Sequence, residues 1–508
     1  MTSLQPTSDR FYRRLAAVML VVAVLQIVVL WGTSLPLGVP GEWTWGRISP
    51  SVETLFGLVI FLPIAVVYVV FVKRGYQLFP HLSVKSRRYW LTGLFVCSLI
   101  WTWGVLQALP GVTGLGRGPL TLYLRGPSGY YTQARKEVDS IPKFLKEYPG
   151  RISDADNSDN YLHLGTHPPG LTVSYALLRR LCDNSTFVRS IGTKTQPRIV
   201  REVFDELASV ERQELSDTER ATLWIACVLT TCICMATVYP LYWLISQTNS
   251  AQSAWLMSSA WPLIPAILIF LPKSDLLFPL LAVTAQAAWL SSLNQLNWRH
   301  GLLAGACLSF GMYFSLALVP VGAILFLQLL PRLWSEDLRT HALGTAVWGI
   351  VGFLIPIGLA ALSGANLPWI WYLNYHNHAA FYAHFPRTYL AWLAVNPLEL
   401  LYALGMPLVI WGIGESLLMA GKLQERCSLR DRGAVLLIWG LLWLTGKNMG
   451  EAARLWCFLM PLGLWVLAPE VPAEPHRRPG WWVPFVLAVQ IVTCFAAVCR
   501  VKGLDFGG

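Results

Sequence analysis

Long apolar runs decide what this chain can fold into. Stretches of about 18 or more predominantly apolar residues recur along it, and a helix of that length spans the hydrocarbon core of a bilayer. Of the 508 residues, 55% are hydrophobic and only 13% are charged, whereas soluble domains typically have about 25% charged residues. The sequence does not show the alternating segments of about ten residues that mark a membrane β-barrel. It therefore predicts an all-α polytopic membrane protein.

We expect about 11–13 transmembrane helices from these runs. They are predicted at residues 15–33, 53–72, 90–109, 220–246, 254–271, 275–293, 301–316, 317–331, 341–362, 397–420, 433–446, 455–468 and 481–499. Three regions follow from this pattern. Residues 1–109 hold the N-terminal transmembrane helices, residues 110–218 form a long extracytoplasmic loop with interfacial helices, and residues 219–508 form a transmembrane helix bundle.

The distribution of basic residues sets the predicted orientation. Arg10, Arg13 and Arg14 precede the first apolar run, which lacks a small-residue cleavage site and is therefore a span rather than a signal peptide. The N-terminus is then cytoplasmic and the long loop lies outside. The net charge of +11 follows from basic inner loops, so a nucleic-acid partner is not expected. Arg500 and Lys502 fall on the outer side by this count, against the rule.

Cations in the short outer loops are not explained by topology. They stand singly beside two acids, and an ionised group near the membrane usually serves a function. A cluster of cations on one face suits an anionic ligand such as phosphate. The other interpretation is that these side chains snorkel to the interface. The residues concerned are Lys273, Asp275, Arg387, Lys447, Glu451 and Arg454.

Residues 363–393 read as an outer loop rich in aromatic residues and histidine. His376, His378 and His384 could bind a metal, but the loop has no carboxylate to complete the set. Sugar contacts through Trp371, Tyr372, His376 and Asn377, or an interfacial aromatic belt, are the other interpretations. The ten cysteines lie mostly in apolar spans and show no CxxC spacing. No metal site is predicted, although a divalent cation stays open.

A polar loop ends in Asn160-Tyr-Leu-His163-Leu-Gly-Thr-His167-Pro-Pro-Gly170 and leads into a short apolar helix. With Pro168 in its first turn, this helix is predicted to end near Leu181, too short to cross a bilayer and suited to the interface. An amphipathic helix is predicted upstream, from Tyr130 to Tyr148.

These motifs resemble those of the GT-C glycosyltransferases, which include protein O-mannosyltransferases and lipid A aminoarabinose transferases. The His-Pro-Pro step follows a Tyr-Tyr/Ala helix, Pro-Lys-Ser-Asp275 resembles a Pro-x-x-Asp turn, and Glu451-Ala-Ala-Arg454-Leu-Trp456 resembles a late Glu-x-x-Arg-x-Trp element. The resemblance covers most of residues 110–465. It implies hexosyl or pentosyl transfer, with inversion, from a polyprenyl-phosphate donor to a lipid, glycan or protein acceptor.

The resemblance also implies residue roles. Such enzymes carry an acid just before the Tyr-rich helix, but here Gly126-Pro-Ser-Gly129 stands there. Asp139 is therefore the favoured catalytic base, with Glu137, Asp159 and Glu42 as alternatives. His167 would join it in catalysis. The donor phosphate would bind Arg454, Lys447, Arg387 and Lys273, and the other substrate contacts would be His163, Tyr131, Glu451, Asp275, His376 and Asn377.

Two other functions fit parts of the pattern. A transporter or flippase would show inverted repeats and midplane charges, but here the polar groups gather at one face. A catalytically inactive relative that binds lipid-linked sugar fits the missing acid before Tyr130. The resemblance to bacterial members of the family and the absence of an organelle signal favour a bacterial inner membrane. Membrane lipids are then direct partners, and the active site faces outside.

Overall fold

The computed structural model describes residues 5–49, 51–155, 165–419, 426–469 and 478–503. These residues form the following helices and strands in chain order: α1 Gln5–Gly32, β1 Leu37–Val39, β2 Trp43–Arg47, α2 Val52–Leu78, α3 Val84–Gln107, α4 Arg117–Tyr123, α5 Tyr130–Glu137, α6 Ile141–Ala155, α7 Gly170–Asn184, α8 Thr186–Lys194, α9 Arg198–Glu211, α10 Asp217–Ala236, α11 Val238–Ser246, α12 Ala251–Ala260, α13 Pro265–Phe270, α14 Phe278–Gln295, α15 Trp298–Met312, α16 Val319–Leu333, α17 Glu336–Leu362, α18 Leu367–His384, α19 Tyr389–Leu404, α20 Met406–Met419, α21 Arg426–Leu444, α22 Ala452–Leu455, α23 Met460–Leu467, α24 Trp482–Val498 and β3 Val501–Lys502.

The prediction of an all-α polytopic membrane protein is confirmed. Among the described residues, eight helical runs are long and apolar enough to cross a bilayer, or nine if the bent pair α19–α20 counts as one span. Two shorter apolar helices cover Cys457–Leu467 and Trp482–Val498. The predicted spans at 301–316 and 433–446 correspond to α15 and α21. The predicted 11–13 transmembrane helices thus compare with eight or nine helices of spanning length among the described residues.

The chain divides into two compact units. Unit 1 consists of the described parts of Met1–Pro110, Met235–Phe270 and Thr388–Gly503. In it, α1 packs against α20 and α24, and α2 packs against α3 and α24. Unit 2 consists of the described parts of Gly111–Cys234 and Leu271–Arg387. In it, α15 packs along α14 and α17, while α5 packs against α7 and α6 against α18.

Unit 1 carries a small antiparallel sheet in the order β1-β2-β3. Leu37 pairs with Trp45 across the first two strands, and Arg47 pairs with Val501 across the second pair. The residues from Gly38 to Trp45 lie between the predicted spans at 15–33 and 53–72, where no strand was predicted. The alternation of Trp43 and Trp45 with smaller residues suits a half-buried strand, and its partner β3 follows the distant helix α24.

The predicted span at 397–420 is broken. Helices α19 and α20 meet at 93°, and Gly405 between them has a φ of 89°, a conformation that favours glycine. Gln490 donates to the carbonyl of Leu404 at 3.0 Å, and Gln26 accepts from the Met406 N–H at 3.2 Å. Two buried amides thus pair with backbone groups on either side of the break.

Two further predictions were wrong in detail. The expected outer loop at 363–393 contains helix α18, whose buried side includes Ile370 and Asn374, so tertiary packing decided a segment that reads as a loop. The helix expected from Tyr130 to Tyr148 is two helices, α5 and α6. Pro142 lies in the first turn of α6, where its missing N–H costs no hydrogen bond but prevents continuation from α5.

Candidate active site

The predicted site residues fall into both units. Unit 1 contains Lys447, Glu451 and Arg454. Unit 2 contains Tyr131, Asp139, His167, Lys273, Asp275, His376, Asn377 and Arg387. His163 and Asp159 lie outside the described residues.

The His-Pro-Pro-Gly turn of unit 2 is fixed through its backbone. Tyr148 Oη donates to the His167 carbonyl at 2.7 Å, and Asn374 Nδ2 donates to the carbonyls of His167 at 3.2 Å and Gly165 at 2.9 Å. Burial raises the pKa of Tyr148, so its phenol stays a neutral donor. The backbone of His167 is therefore held in place, and its ring centroid lies 6.1 Å from that of Tyr130.

Helix α7 starts where this turn meets the Tyr313 carbonyl. The Gly170 N–H donates to Tyr313 O at 3.1 Å, and a Cβ on Gly170 would overlap that same oxygen. Only glycine permits this approach. The helix begins two residues after the predicted Pro168 start and extends to Asn184, and its fifteen residues correspond to about 22 Å, less than a bilayer span.

Helices α5 and α7 are joined by polar side chains. Thr172 Oγ1 donates to Gln133 Oε1 at 2.7 Å, and Gln133 in turn donates to Glu137 at 3.3 Å. Arg151 also reaches Glu137 at 2.9 Å. Glu137, an alternative to Asp139 as base, is thus engaged in a structural network.

Tyr131 is fully buried in α5. Its hydroxyl has no hydrogen-bond partner among the described residues, and burial raises the pKa of the phenol. A buried hydroxyl without a partner costs roughly 1–3 kcal/mol. The hydroxyl is therefore a polar group of α5 whose role the packing of the described residues does not account for.

The remaining predicted residues of unit 2 occupy separate elements. Asp139 is exposed in the link between α5 and α6, and its backbone carbonyl accepts from Arg180 at 2.7 Å. Lys273 is buried and Asp275 half-buried at the turn before α14. On α18, His376 is exposed and Asn377 is buried, and the half-buried Arg387 follows that helix.

In unit 1, the tip before α23 carries an ion pair. Arg454 donates to Glu451 at 3.0 Å, with the two side chains 7% and 22% exposed. Glu451 has a φ of 57° and stands just before α22, so the short helix turns its arginine back onto it. Lys447 is exposed in the same tip.

A carboxylate that the sequence did not single out lies next to this pair. Glu399 on α19 accepts at Oε1 from the Trp45 indole at 2.8 Å and from the Ala453 N–H at 3.0 Å. Both donors come from distant segments, the β2 strand and the Glu-x-x-Arg tip. An acid inside an apolar run is itself a signal of function, and this signal could have identified Glu399.

Glu399 lines a cavity of about 400 Å³ in unit 1. The volume lies in the range of about 300–1,000 Å³ that small-ligand sites occupy. The walls are otherwise almost entirely apolar, and Glu399 is the acid among the described residues that line it. Representative wall residues are Leu30, Leu37, Trp45, Phe270, Tyr402 and Ala453.

Glu42 was one alternative for the catalytic base, and it also belongs to unit 1. Its carboxylate accepts from the Thr388 N–H at 3.0 Å, from the Thr388 hydroxyl, and from the Trp392 indole at 2.7 Å. These neutral donors attach the β1–β2 turn to the start of α19. Glu42 therefore serves the hairpin's attachment.

Among the described residues, no three His, Cys, Asp or Glu side chains lie close enough to share a metal ion. On α18, His376 instead packs against the Tyr372 ring with centroids 4.4 Å apart.

No family model and no curated protein matches the chain. It is similar in structure to the Archaeoglobus fulgidus oligosaccharyltransferase, crystallised in complex with Zn and sulfate, at 12% sequence identity and a TM-score of 0.39. The match covers 81% of this chain and 54% of that chain, so this chain spans about half the length of the oligosaccharyltransferase.

Proposed function

We propose that this integral membrane protein is a glycosyltransferase that moves a sugar from a polyprenyl-phosphate donor to an acceptor on the extracytoplasmic face. The observation that carries the proposal is the cavity of unit 1. It combines an apolar interior with a carboxylate, Glu399, on its wall. The Glu451–Arg454 pair flanks Ala453, which also lines the cavity. A lipid-linked substrate needs this combination of a place for its chain and charged groups near its reacting end.

The proposed reaction is a single displacement with inversion. The acceptor hydroxyl oxygen forms a bond to the anomeric carbon while the bond from that carbon to the phosphate oxygen breaks. Polyprenyl phosphate leaves with the electron pair, and the acceptor proton passes to a carboxylate acting as general base. Asp139 is the base that we propose, and its exposure in the α5–α6 link leaves its carboxylate accessible.

The other predicted residues are assigned supporting roles. The fixed turn of unit 2 would hold His167 against the substrate, and Tyr131 and Asn377 would add polar contacts. Asp275, Glu451 and His376 are proposed as further substrate contacts. Stabilisation of the departing phosphate is assigned to cations, because charge develops there in the transition state. The candidates are Lys273, Arg387, Lys447 and Arg454.

The experiment uses the purified full chain in lipid nanodiscs. A panel of polyprenyl-phosphate hexoses and pentoses is offered with an envelope lipid and glycan extract as acceptor source. The measured quantity is the polyprenyl phosphate released, with and without added divalent cation, since metal dependence is open. We expect release from at least one donor of the panel.

The Arg454→Gln variant tests the site within the same assay. Removing a charged donor from a developing negative charge typically costs about 10²–10³ in rate, so release should fall by that factor. Arg198→Gln is the matched control, because Arg198 is an exposed arginine of α9 with a carboxylate partner at 2.6 Å. If no donor of the panel is consumed, the transferase proposal is overturned. If the donors bind but none is consumed, the result favours the inactive relative that binds lipid-linked sugar.

A further inference from the structure

Two arginines of unit 1 lie at the edge of the cavity, where the topology rule does not expect cations. Arg47 ends β2, and Arg500 stands between α24 and β3. The two strands are paired, with Arg47 opposite Val501. The sheet therefore brings both guanidinium groups to one place from opposite ends of unit 1's sequence.

Both guanidinium groups rest on backbone carbonyls around the end of α1. Arg47 donates to Leu30 O at 3.1 Å and also to Thr33 O and Leu35 O. Arg500 donates to the same Leu30 O at 3.1 Å and also to Ile48 O. All of these partners are uncharged, and helix C-terminal carbonyls are natural acceptors for such side chains.

Neither arginine is neutralised by an acid. Among the described residues, no carboxylate forms an ion pair with Arg47 or Arg500, in contrast to Arg454 with Glu451. A guanidinium has five N–H bonds, and the five bonds to carbonyls described above use half of the pair's donors. Within the described part of the chain, both guanidinium groups therefore keep an unpaired positive charge and N–H groups that are free to donate to a ligand.

The residues beneath these arginines line the cavity. Leu30 and Leu35 accept from the guanidinium groups through their carbonyls and contribute apolar side chains to the wall. Val501, next to Arg500 and opposite Arg47, lines it too. The cavity thus has an apolar interior and a cationic edge at the sheet, while its acid, Glu399, lies on the α19 wall.

We infer that the cavity and its arginine edge bind a lipid phosphate, with the apolar chain inside and the phosphate on Arg47 and Arg500. This rests on the proposed function, in which that lipid is the polyprenyl-phosphate donor. Arginine suits the role because its planar donor set matches phosphate oxygens. The Glu399 carboxyl on the α19 wall accepts from the Trp45 indole and the Ala453 N–H, so it does not occupy the donors of Arg47 and Arg500. The pair thereby adds two phosphate contacts to the cations already proposed, among which Arg454 is paired with Glu451.

Binding to the purified full chain in nanodiscs tests this directly. The probes are a polyprenyl monophosphate, the uncharged polyprenol of the same length, and inorganic phosphate. We expect the monophosphate to bind at least tenfold more tightly than the polyprenol. Inorganic phosphate alone should compete only at far higher concentration, because it lacks the chain.

The double variant Arg47→Gln/Arg500→Gln should weaken monophosphate binding by about 10- to 100-fold, the range of one or two charged hydrogen bonds, and leave polyprenol binding unchanged. Arg198→Gln is the control. Because both arginines also hold the end of α1, Arg47→Lys/Arg500→Lys is a second variant that keeps the charge and should retain most of the binding. Ala497→Leu, which intrudes on the cavity wall, should weaken both lipids alike.

Monophosphate binding that is equal in the wild type and the Gln variant, or equal to polyprenol binding, would overturn the site. The two proposals fail separately. Sugar transfer that proceeds unchanged in the double Gln variant leaves the transferase standing without this site. Arginine-dependent lipid-phosphate binding without any transfer leaves the site standing without the transferase.

Discussion

The His-Pro-Pro-Gly turn of unit 2 and the cavity of unit 1 are built in opposite ways. In the turn, neutral side chains such as Tyr148 and Asn374 hold backbone carbonyls. Around the cavity, ionisable side chains border an apolar space: Glu399 lies on the wall, and Arg47 donates to the carbonyl of the wall residue Leu30. The turn fixes the backbone of His167. The cavity combines volume with ionisable groups.

This difference suggests that residues of the turn position the backbone, whereas acidic residues take part in the proposed reaction. Changes in the turn should act mainly through stability, because they break hydrogen bonds between parts of the protein. Changes to acids should act mainly through rate, because those groups would exchange protons or charge with substrate. Three substitutions, from the largest expected effect to the smallest, test this separation.

Asp139→Asn should reduce sugar transfer by about 10²–10⁴, the usual contribution of a general base. Asp139 is exposed, so the melting temperature should stay unchanged. The assay is donor-dependent release of polyprenyl phosphate in nanodiscs. Glu399→Gln is the paired measurement. If Glu399→Gln loses more sugar-transfer activity while Asp139→Asn stays near the wild-type rate, the general base is Glu399 of unit 1 and not Asp139 of unit 2. That result would contradict the assignment of the base proposed above.

Asn374→Leu should lower the free energy of unfolding by roughly 1–3 kcal/mol, because the carbonyls of Gly165 and His167 lose a buried donor. Transfer should fall less than tenfold once the protein is folded. Thermal unfolding followed by tryptophan fluorescence measures the first effect. His376→Leu, on the exposed side of the same helix, is the comparison for stability. An unchanged melting temperature for Asn374→Leu would show that the hydrogen bonds of this side chain do not stabilise the fold.

Tyr131→Phe should change the free energy of unfolding by less than about 0.5 kcal/mol, or raise it slightly, since the lost hydroxyl has no hydrogen-bond partner among the described residues. Tyr148→Phe is the matched control, because that hydroxyl donates to His167 O at 2.7 Å. Equal losses of stability in both variants would mean that Tyr131 has a structural partner. A loss of transfer in Tyr131→Phe alone would assign its hydroxyl to the substrate.

The helices could be predicted from the sequence because each apolar run contains its own signal. The α5–α7 region could be predicted in outline for the same reason. Contacts that join distant segments could not. Glu399 acquires its environment from Trp45, 354 residues away, and the strand β3 pairs with one formed far earlier in the chain.

Helix α18 shows a second limit. Its histidines and aromatic residues are typical of a surface loop, but Asn374 is fully buried and holds the His-Pro-Pro-Gly turn. The packing that made this segment helical depends on partners 207 and 209 residues earlier. A local pattern does not contain that information.

The break between α19 and α20 has a consequence for the order in which the protein can be made. The Leu404 carbonyl accepts from Gln490, synthesised 86 residues later, and the Tyr402 carbonyl accepts from Gln26, synthesised 376 residues earlier, as well as from the nearby Gly405 N–H. In a newly made chain the Leu404 carbonyl therefore lacks its amide donor until α24 has been synthesised, so the bend is completed late in the order of synthesis.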